Sequence, residues 1–197
     1  HTSRITVVAS NDRKGAYGLA AAHHMLNHRI YVNIVLAEEE ISSEARYYLD
    51  IIGQIGAPII SYQEQQNQAL QAINGSQLII DALLGPNAAK ERNPFVNECI
   101  AYLAQHDHKI ISFDVPSGLD GTTGISFPPT IKAFATLSLA LPTQAFLSKE
   151  GPLLSGQIFL GDIGLPKFLY DKLSLGSRPK FDMYENAIMP FQDYQQD

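Results

Sequence analysis

The sequence predicts a three-layer α/β sandwich with a mostly parallel central sheet, and two observations support that prediction. Short apolar runs rich in β-branched residues recur along the 197-residue chain, which is typical of strands buried on both faces of a parallel sheet. Helix-forming stretches separate the first five of these runs. Strand and helix in alternation imply right-handed crossovers, which place helices on both faces of the sheet.

Seven strands are predicted in order along the chain. Their ranges are 4–9, 30–36, 58–61, 77–85, 109–118, 135–141 and 156–164. The sixth and seventh have no obvious helix between them, so we expect a mixed sheet at this edge.

The predicted helices alternate with these strands. Their ranges are 19–26, 43–55, 65–73, a helix capped by Asn93 that starts at Pro94, and 166–173. Residues 178–197 lack periodicity, and we interpret them as a docked tail or linker that follows a domain of residues 1–177.

The composition and charge of the chain limit the kinds of molecule that it is expected to bind and the compartment that suits it. The formal net charge is −6, and no Lys/Arg cluster is present, so a nucleic-acid partner is not expected. No apolar run approaches the roughly 20 residues that a membrane-spanning helix needs. Cys99 is the only cysteine, which excludes an internal disulfide and fits a reducing, cytoplasmic compartment. The first strand begins almost at once, which leaves open whether a native leading segment precedes it.

Three predicted loops follow strand ends, where open α/β sheets bind their ligands. They are 10–18 ("SNDRKGAYG"), 81–92 and 114–124. The first has the strand, turn and helix layout of a phosphate cradle. Its two glycines, Gly15 and Gly18, are too few for a dinucleotide fingerprint, and the chain has no Walker lysine–serine pair.

The other two loops each carry a candidate carboxylate. Asp114 ends a strand, and Pro116 cannot continue the sheet ladder, so Asp114 either meets a ligand or caps its own turn. Asp81 lies in so apolar a run that it must be paired, protonated or bound to a cation. A functional role and a simple hydrogen bond to a neighbouring loop both remain open for Asp81.

Three segments in fixed order carry a family resemblance. They read "IIDALLG", "FDVPSGLDGTTG" and "GQIFLGDIGLP". Together they resemble the NAD(P)H-hydrate epimerase family, also called the YjeF N-terminal domain, whose motifs are "DALLG", "D-[IV]-P-S-G" with a later glycine, and "DIG-[IVL]-P". The resemblance runs from about residue 4 to residue 169.

The resemblance implies a Rossmann-like fold, a homodimer and a cofactor-repair enzyme. Such enzymes interconvert the epimers of hydrated NADH or NADPH, which carry a hydroxyl on the nicotinamide ring, and a dehydratase is their functional partner. The family commonly binds potassium, and Asp81 and Ser117 match its potassium ligands. Asp114 matches a residue at the hydrated nicotinamide and is the candidate catalytic residue. The implied substrate-binding residues are Lys14, Gly15, Tyr17, Gly85, Pro86, Asn87, Ala88, Ala89, Lys90, Glu91 and Asp114.

The chain departs from the family pattern in its opening segment. The family sequence there is "G-x-G-N-N-G-G-D-G", and Lys14 and Tyr17 replace its potassium-binding Asn and its Asp. Ser10, Asp12 and Ala16 replace three glycines, and Thr143 replaces a later family lysine. The "KGAYG" sequence is similar to the non-enzymatic enhancer-of-mRNA-decapping branch.

Two interpretations of function follow from these departures. The first is an active epimerase, and the second is a catalytically inactive protein on the same fold that binds a nucleotide-like ligand or a partner. Lys14 is important for both, since an ammonium has the charge and about the size of a potassium ion. If Lys14 points at Asp81 and Ser117, it replaces the metal; otherwise it is a solvated loop lysine.

Overall fold

An eight-stranded sheet forms the centre of the molecule in the computed structural model, which describes residues 4–87, 92–172, 179–181 and 188–194. The strands follow the order β3-β2-β1-β4-β5-β6-β7-β8. Seven strands are parallel, and β8 runs antiparallel to β7. Their bounds are Arg4–Ala9 (β1), Tyr31–Leu36 (β2), Ile59–Ser61 (β3), Leu78–Ala82 (β4), Ile110–Phe113 (β5), Ala135–Leu139 (β6), Gln157–Gly161 (β7) and Ile188–Pro190 (β8).

Helices cover both faces of this sheet. Their bounds are Arg13–Asn27 (α1), Ser43–Ile55 (α2), Gln66–Asn74 (α3), Pro94–Gln105 (α4), Gly151–Ser155 (α5), Lys167–Lys172 (α6) and Phe191–Tyr194 (α7), with a short 3-10 helix at Gln144–Leu147. None of the described helices is both long and apolar enough to cross a lipid bilayer.

Two apolar cores lie on opposite faces of the sheet. Leu19 of α1 and Ile52 of α2 pack with Ile34 on one face. Ile73 of α3 and Ile100 of α4 pack on the other. Burying a side chain of this size contributes about 1.5–3 kcal/mol. The predicted three-layer sandwich is therefore confirmed, with α1 and α2 on one side and α3 and α4 on the other.

Helix α1 begins six residues earlier than predicted, at Arg13 instead of Leu19. Asp12 caps it, because its side chain accepts a 3.0 Å hydrogen bond from the Lys14 amide. The prediction was wrong because two glycines suggested a loop. Within the helix, Gly18 permits close packing, since a Cβ there would lie 2.3 Å from Cβ of Ala82. The opening loop is thus only residues 10–12, and Lys14 belongs to the first turn of a helix.

The chain beyond residue 177 contributes to the sheet where the structure describes it. Strand β8 pairs with β7, and Phe181, Met189 and Phe191 are buried beside it. The predicted mixed edge therefore arises at β8, because β6 and β7 are parallel. The domain boundary after residue 177 stays a prediction.

Candidate functional site

The polar strand ends converge at the point where the strand order reverses. β1 and β4 are neighbours, with β2 and β3 continuing on one side and β5 and β6 on the other. Such a reversal opens a crevice beyond the carboxyl ends of the strands, where ligands bind in open α/β sheets. A cavity of about 400 Å³ lies here, within the size range of small-molecule sites. Its lining residues are Asn11, Asp12, Arg13, Lys14, Tyr17, Gly85, Pro86, Asn87 and Asp114.

A buried ion pair forms the floor of this site. Lys14 is 1% exposed and Asp81 is fully buried. Lys14 Nζ donates to Asp81 Oδ2 at 2.8 Å, to the Val115 carbonyl at 2.7 Å and to Ser117 Oγ at 3.0 Å. The ammonium therefore joins the first turn of α1 to β4 and to the loop after β5, and its three N–H groups all have acceptors.

Asp81 is equally well satisfied. Its Oδ2 also accepts from Ser112 Oγ at 2.7 Å and from the Ser117 amide at 2.9 Å. Its Oδ1 accepts from Ser117 Oγ at 2.5 Å and from the Leu83 amide at 3.2 Å. Both oxygens of the Asp81 carboxylate therefore have donors, and these hydrogen bonds fix the side chain in place.

The charge state of Lys14 follows from the same geometry. Burial lowers the pKa of its ammonium from the ordinary value, and the Asp81 carboxylate opposes that shift. The Val115 carbonyl can only accept, and the Ser117 hydroxyl already gives its proton to Asp81. Because all three neighbours of Nζ act as acceptors, the protonated amine fits this position and a neutral amine does not.

Asp114 differs from Asp81 in that its carboxyl group has no hydrogen-bond donor among the described residues. It follows β5 directly, its φ of +63° lies in the left-handed region, and its amide donates to the Leu137 carbonyl at 2.8 Å. Within the described part of the chain, no group donates a hydrogen bond to its side chain. Aspartate tolerates this backbone conformation better than most residues, and such strain clusters at functional sites.

The environment of Asp114 favours its protonated form. Burial raises the pKa of the Asp114 carboxyl above its ordinary value of 3.8. The nearby Lys14 ammonium opposes that shift, and the Asp12 carboxylate adds to it. A partly buried carboxyl with a raised pKa in a cleft is suited to proton transfer.

The structure brings most of the predicted site residues together at one crevice. Lys14, Asp81 and Ser117 meet in the floor, and Tyr17 and Asp114 line the cavity with the segment 85–87. Gly15 does not line the cavity, because it is buried where a Cβ would lie 2.0 Å from the Ser10 carbonyl. The predicted residues Ala88, Ala89, Lys90 and Glu91 lie outside the described residues.

Sequence reasoning missed three residues that line the cavity, namely Asn11, Asp12 and Arg13. The signal for Asp12 was available, since aspartate is a preferred residue at the N-cap of a helix. A larger cavity of about 580 Å³ lies near β7 and β8, but its described lining offers no acid, base or cation. Of these two cavities, the one at the β1/β4 crevice is the one whose described lining has acidic and basic side chains.

The pH dependence of the free energy of unfolding should reflect the raised pKa of Asp114. A raised folded-state pKa means that the folded protein binds this proton more tightly than the unfolded chain, so the contribution of Asp114 falls as pH rises above about 3.8. Asp114→Asn keeps the left-handed conformation and removes the charge. We expect its Tm at pH 7 to exceed that of the wild type, by about 2–4 °C per kcal/mol gained.

Thermal unfolding at pH 7 and pH 3.5 tests this expectation. The exposed Asp50→Asn on α2 is the matched control, because it removes the same charge away from the cavity. The gain for Asp114→Asn should shrink at the lower pH. An Asp114→Asn protein that is less stable at pH 7, or whose gain is equal at both pH values, contradicts this account of Asp114.

Comparison with known proteins identifies relatives of the chain. It is 29% identical to the NAD(P)H-hydrate epimerase of Dehalogenimonas lykanthroporepellens over 88% of this chain and 67% of that protein. It is 27% identical to the NAD(P)H-hydrate epimerase of Weissella koreensis, over 83% of this chain and 72% of that protein. A bifunctional NAD(P)H-hydrate repair enzyme of Moorella thermoacetica is 28% identical over 84% of this chain, which spans only 32% of that relative.

Comparison with solved structures gives the same fold. The crystal structure of the yeast protein ynu0 (YNL200c) superposes with a TM-score of 0.76 and covers 96% of this chain and 77% of that one. At 21% identity this likeness shows the fold alone. The three sequence relatives carry epimerase or hydrate-repair names, so the likeness of the opening segment to the decapping branch is not borne out by them. Residues 1–145 match the family described as YjeF-related protein N-terminus, and the chain belongs to that family.

Proposed function

We propose that the protein epimerises hydrated NADH or NADPH. The observation that carries the proposal is Asp114, a carboxyl without a hydrogen-bond donor in the described chain, with a raised pKa, in a cavity at the switch point of the sheet. The family membership and the names of the relatives supply the substrate class.

The volume of the cavity suits one end of a dinucleotide. A ring and its ribose fit a cavity of about 400 Å³, but a whole dinucleotide needs more room. A second cavity of about 530 Å³ adjoins the first, and Arg13 and Tyr17 line both. We propose that the hydrated ring lies beside Asp114 and the segment 85–87, and that the rest of the substrate extends past Tyr17.

The reaction needs an acid and a base and no change in oxidation state. The substrate hydroxyl is on the ring carbon next to nitrogen. Asp114 in its protonated form donates a proton to that hydroxyl, the C–O bond breaks, and water leaves with the bonding electrons. The nitrogen lone pair forms a C=N⁺ bond and makes the carbon planar. Water then adds to the opposite face, the electron pair returns to nitrogen, and a base accepts the released proton.

The floor of the site does not fit a potassium ion in addition to Lys14. Its ammonium already donates hydrogen bonds to the Asp81 carboxylate, the Ser117 hydroxyl and the Val115 carbonyl. A metal cation at this position would need the same three oxygens as ligands. We therefore propose that Lys14 replaces the metal as the positive charge of the site. No step of the reaction passes through a metal in this proposal.

The remaining parts of the proposal concern partners and location. The names of the bifunctional relatives couple hydrate repair activities in one protein, which supports a dehydratase as the functional partner. We also propose a homodimer in the cytoplasm, as the family resemblance implies and as the single buried cysteine permits.

A coupled assay tests the activity. The R/S mixture of hydrated NADPH is supplied with excess of a dehydratase that consumes one epimer, and the consumption of the other epimer is followed. We expect the wild type to accelerate this second phase, and Asp114→Asn to lose about 10²–10⁴-fold of the acceleration because the proton donor is gone. Asp50→Asn should match the wild type. If the wild type does not exceed the spontaneous rate, the enzyme proposal fails, and calorimetric binding of hydrated NADPH would then favour the inactive binding protein.

Stability in different salts tests the replacement of potassium. The Tm of the wild type should be the same in KCl and NaCl at equal ionic strength. Lys14→Asn leaves Asp81 without its partner, so we expect a loss of about 3–5 kcal/mol in NaCl. Part of this loss should return in KCl, because the vacated oxygens can then bind the ion.

The exposed Lys132→Asn is the control for loss of a positive charge, and it should show no potassium effect. A wild-type protein that gains stability specifically in KCl would contradict the replacement. So would a Lys14→Asn protein that is as stable as the wild type in NaCl.

A further inference from the structure

Two carboxyl groups enter the cavity from opposite sides. Asp12 follows β1, Asp114 follows β5, and β4 lies between these two strands. Neighbouring strands are about 4.8 Å apart, so the two residues start from strands about 10 Å apart, and both line the same cavity. The Asp12 carboxylate adds to the rise in the pKa of the Asp114 carboxyl, after the larger effect of burial.

A hydrogen bond holds one carboxylate oxygen of Asp12 in place, and the other oxygen has no donor among the described residues. Its Oδ1 accepts from the Lys14 amide at 3.0 Å, and its own amide donates to Ser10 Oγ at 3.2 Å. No hydrogen bond reaches Oδ2 from the described part of the chain.

Gly85 makes room for this carboxyl group. A Cβ on Gly85 would lie 2.9 Å from Asp12 Oδ1, so a larger residue at this position would push the Asp12 carboxyl group aside. The carboxyl group is therefore confined between the first turn of α1 and the segment 85–87, in the wall of the cavity.

We infer that Asp12 is a second catalytic residue of this site and acts as the base opposite Asp114. The inference rests on the proposed function. It concerns a position where this chain has Asp12 and the family pattern quoted with the resemblance has glycine.

Each carboxyl group of the pair serves one step of the reaction, since water leaves from one face of the ring and adds to the other. Asp114 gives its proton to the departing hydroxyl on one face of the ring. Water adds on the other face, forms the new C–O bond, and gives a proton to Asp12. The pair then holds one proton as before, now on Asp12, and a transfer through water returns it to Asp114. Atoms and charge balance, and no oxidant, reductant or metal is needed.

Other charged groups lie around this pair of carboxyl groups and contribute to the electrostatic potential at it. From α1 these are Arg13 and Lys14. Glu38, which follows β2, accepts from the Asn11 amide at 2.7 Å. Asp81 of β4 lies behind Lys14 and is neutralised by it. An acid and a base whose environments differ in this way are the arrangement that proton-transfer sites use.

Substitution of Asp12 separates catalysis from capping. Asparagine and serine cap a helix as well as aspartate, whereas alanine does not. We expect Asp12→Asn and Asp12→Ser to keep the wild-type Tm and to lose about 10²-fold in kcat in the coupled assay. Asp12→Ala should lose the same activity and also about 2–4 °C in Tm. The wild-type rate should depend on two ionisations, and Asp12→Asn should retain only one.

The outcomes distinguish this inference from the proposed function. An inactive wild type overturns the proposed function, and the inference with it. An active wild type with an equally active Asp12→Asn, and an unchanged pH profile, overturns the inference alone and leaves Asp12 as a helix cap.

A second measurement does not depend on turnover. Carboxyl ¹³C NMR titration follows the pKa of Asp114 in the wild type and in Asp12→Asn. Because the Asp12 carboxylate raises the pKa of Asp114, its removal should lower that pKa. An unchanged pKa of Asp114 would show that the two groups do not interact, and it would overturn the pairing.

Discussion

The buried ion pair between Lys14 and Asp81 is the interaction on which the site depends. Burying two charges costs several kcal/mol per ion unless the geometry and the remaining hydrogen bonds are good. Here all three N–H groups of the ammonium have acceptors, and the carboxylate accepts from four further donor groups, which belong to Ser112, Ser117 and Leu83. The pair ties the first turn of α1 to β4 and to the loop after β5. These are the elements that carry the two carboxyl groups of the cavity, so the pair fixes their relative positions.

The carboxyl groups of Asp81 and Asp114 have different roles because their surroundings differ. Asp81 is neutralised and saturated with hydrogen bonds, and it acts as an anchor. Asp114 accepts no hydrogen bond from the described chain, and burial raises its pKa, so it can carry a proton to a ligand. A cation that is part of the chain leaves the positive charge of the floor in place whatever ion the solvent supplies. The proposed epimerase chemistry then needs only a base on the far side of the ring.

Much of this fold and part of the site could be predicted from the sequence. Helix α2 has the predicted bounds, because its apolar stripe and the serine at its N-cap, Ser42, are local signals. The demand that Asp81 have a partner followed from its apolar surroundings, and Lys14 meets that demand. The start of α1 was missed, because Gly18 serves packing against Ala82 of β4, a contact between distant parts of the chain. Strand β8 was missed because three residues carry no periodicity, and only the free edge of β7 makes them a strand. The role of Asp12 in the cavity wall likewise depends on how three loops meet.

A double-mutant cycle on Lys14 and Asp81 tests the central claim most directly. Lys14→Met and Asp81→Asn are each measured by urea unfolding, together with the double variant. If the ion pair holds the site, each single variant loses about 3–5 kcal/mol, because the partner charge stays buried and unpaired. The double variant then loses less than the sum of the two, by about 1–3 kcal/mol. Losses that add to within about 0.5 kcal/mol would contradict the account, since the two residues would then contribute independently.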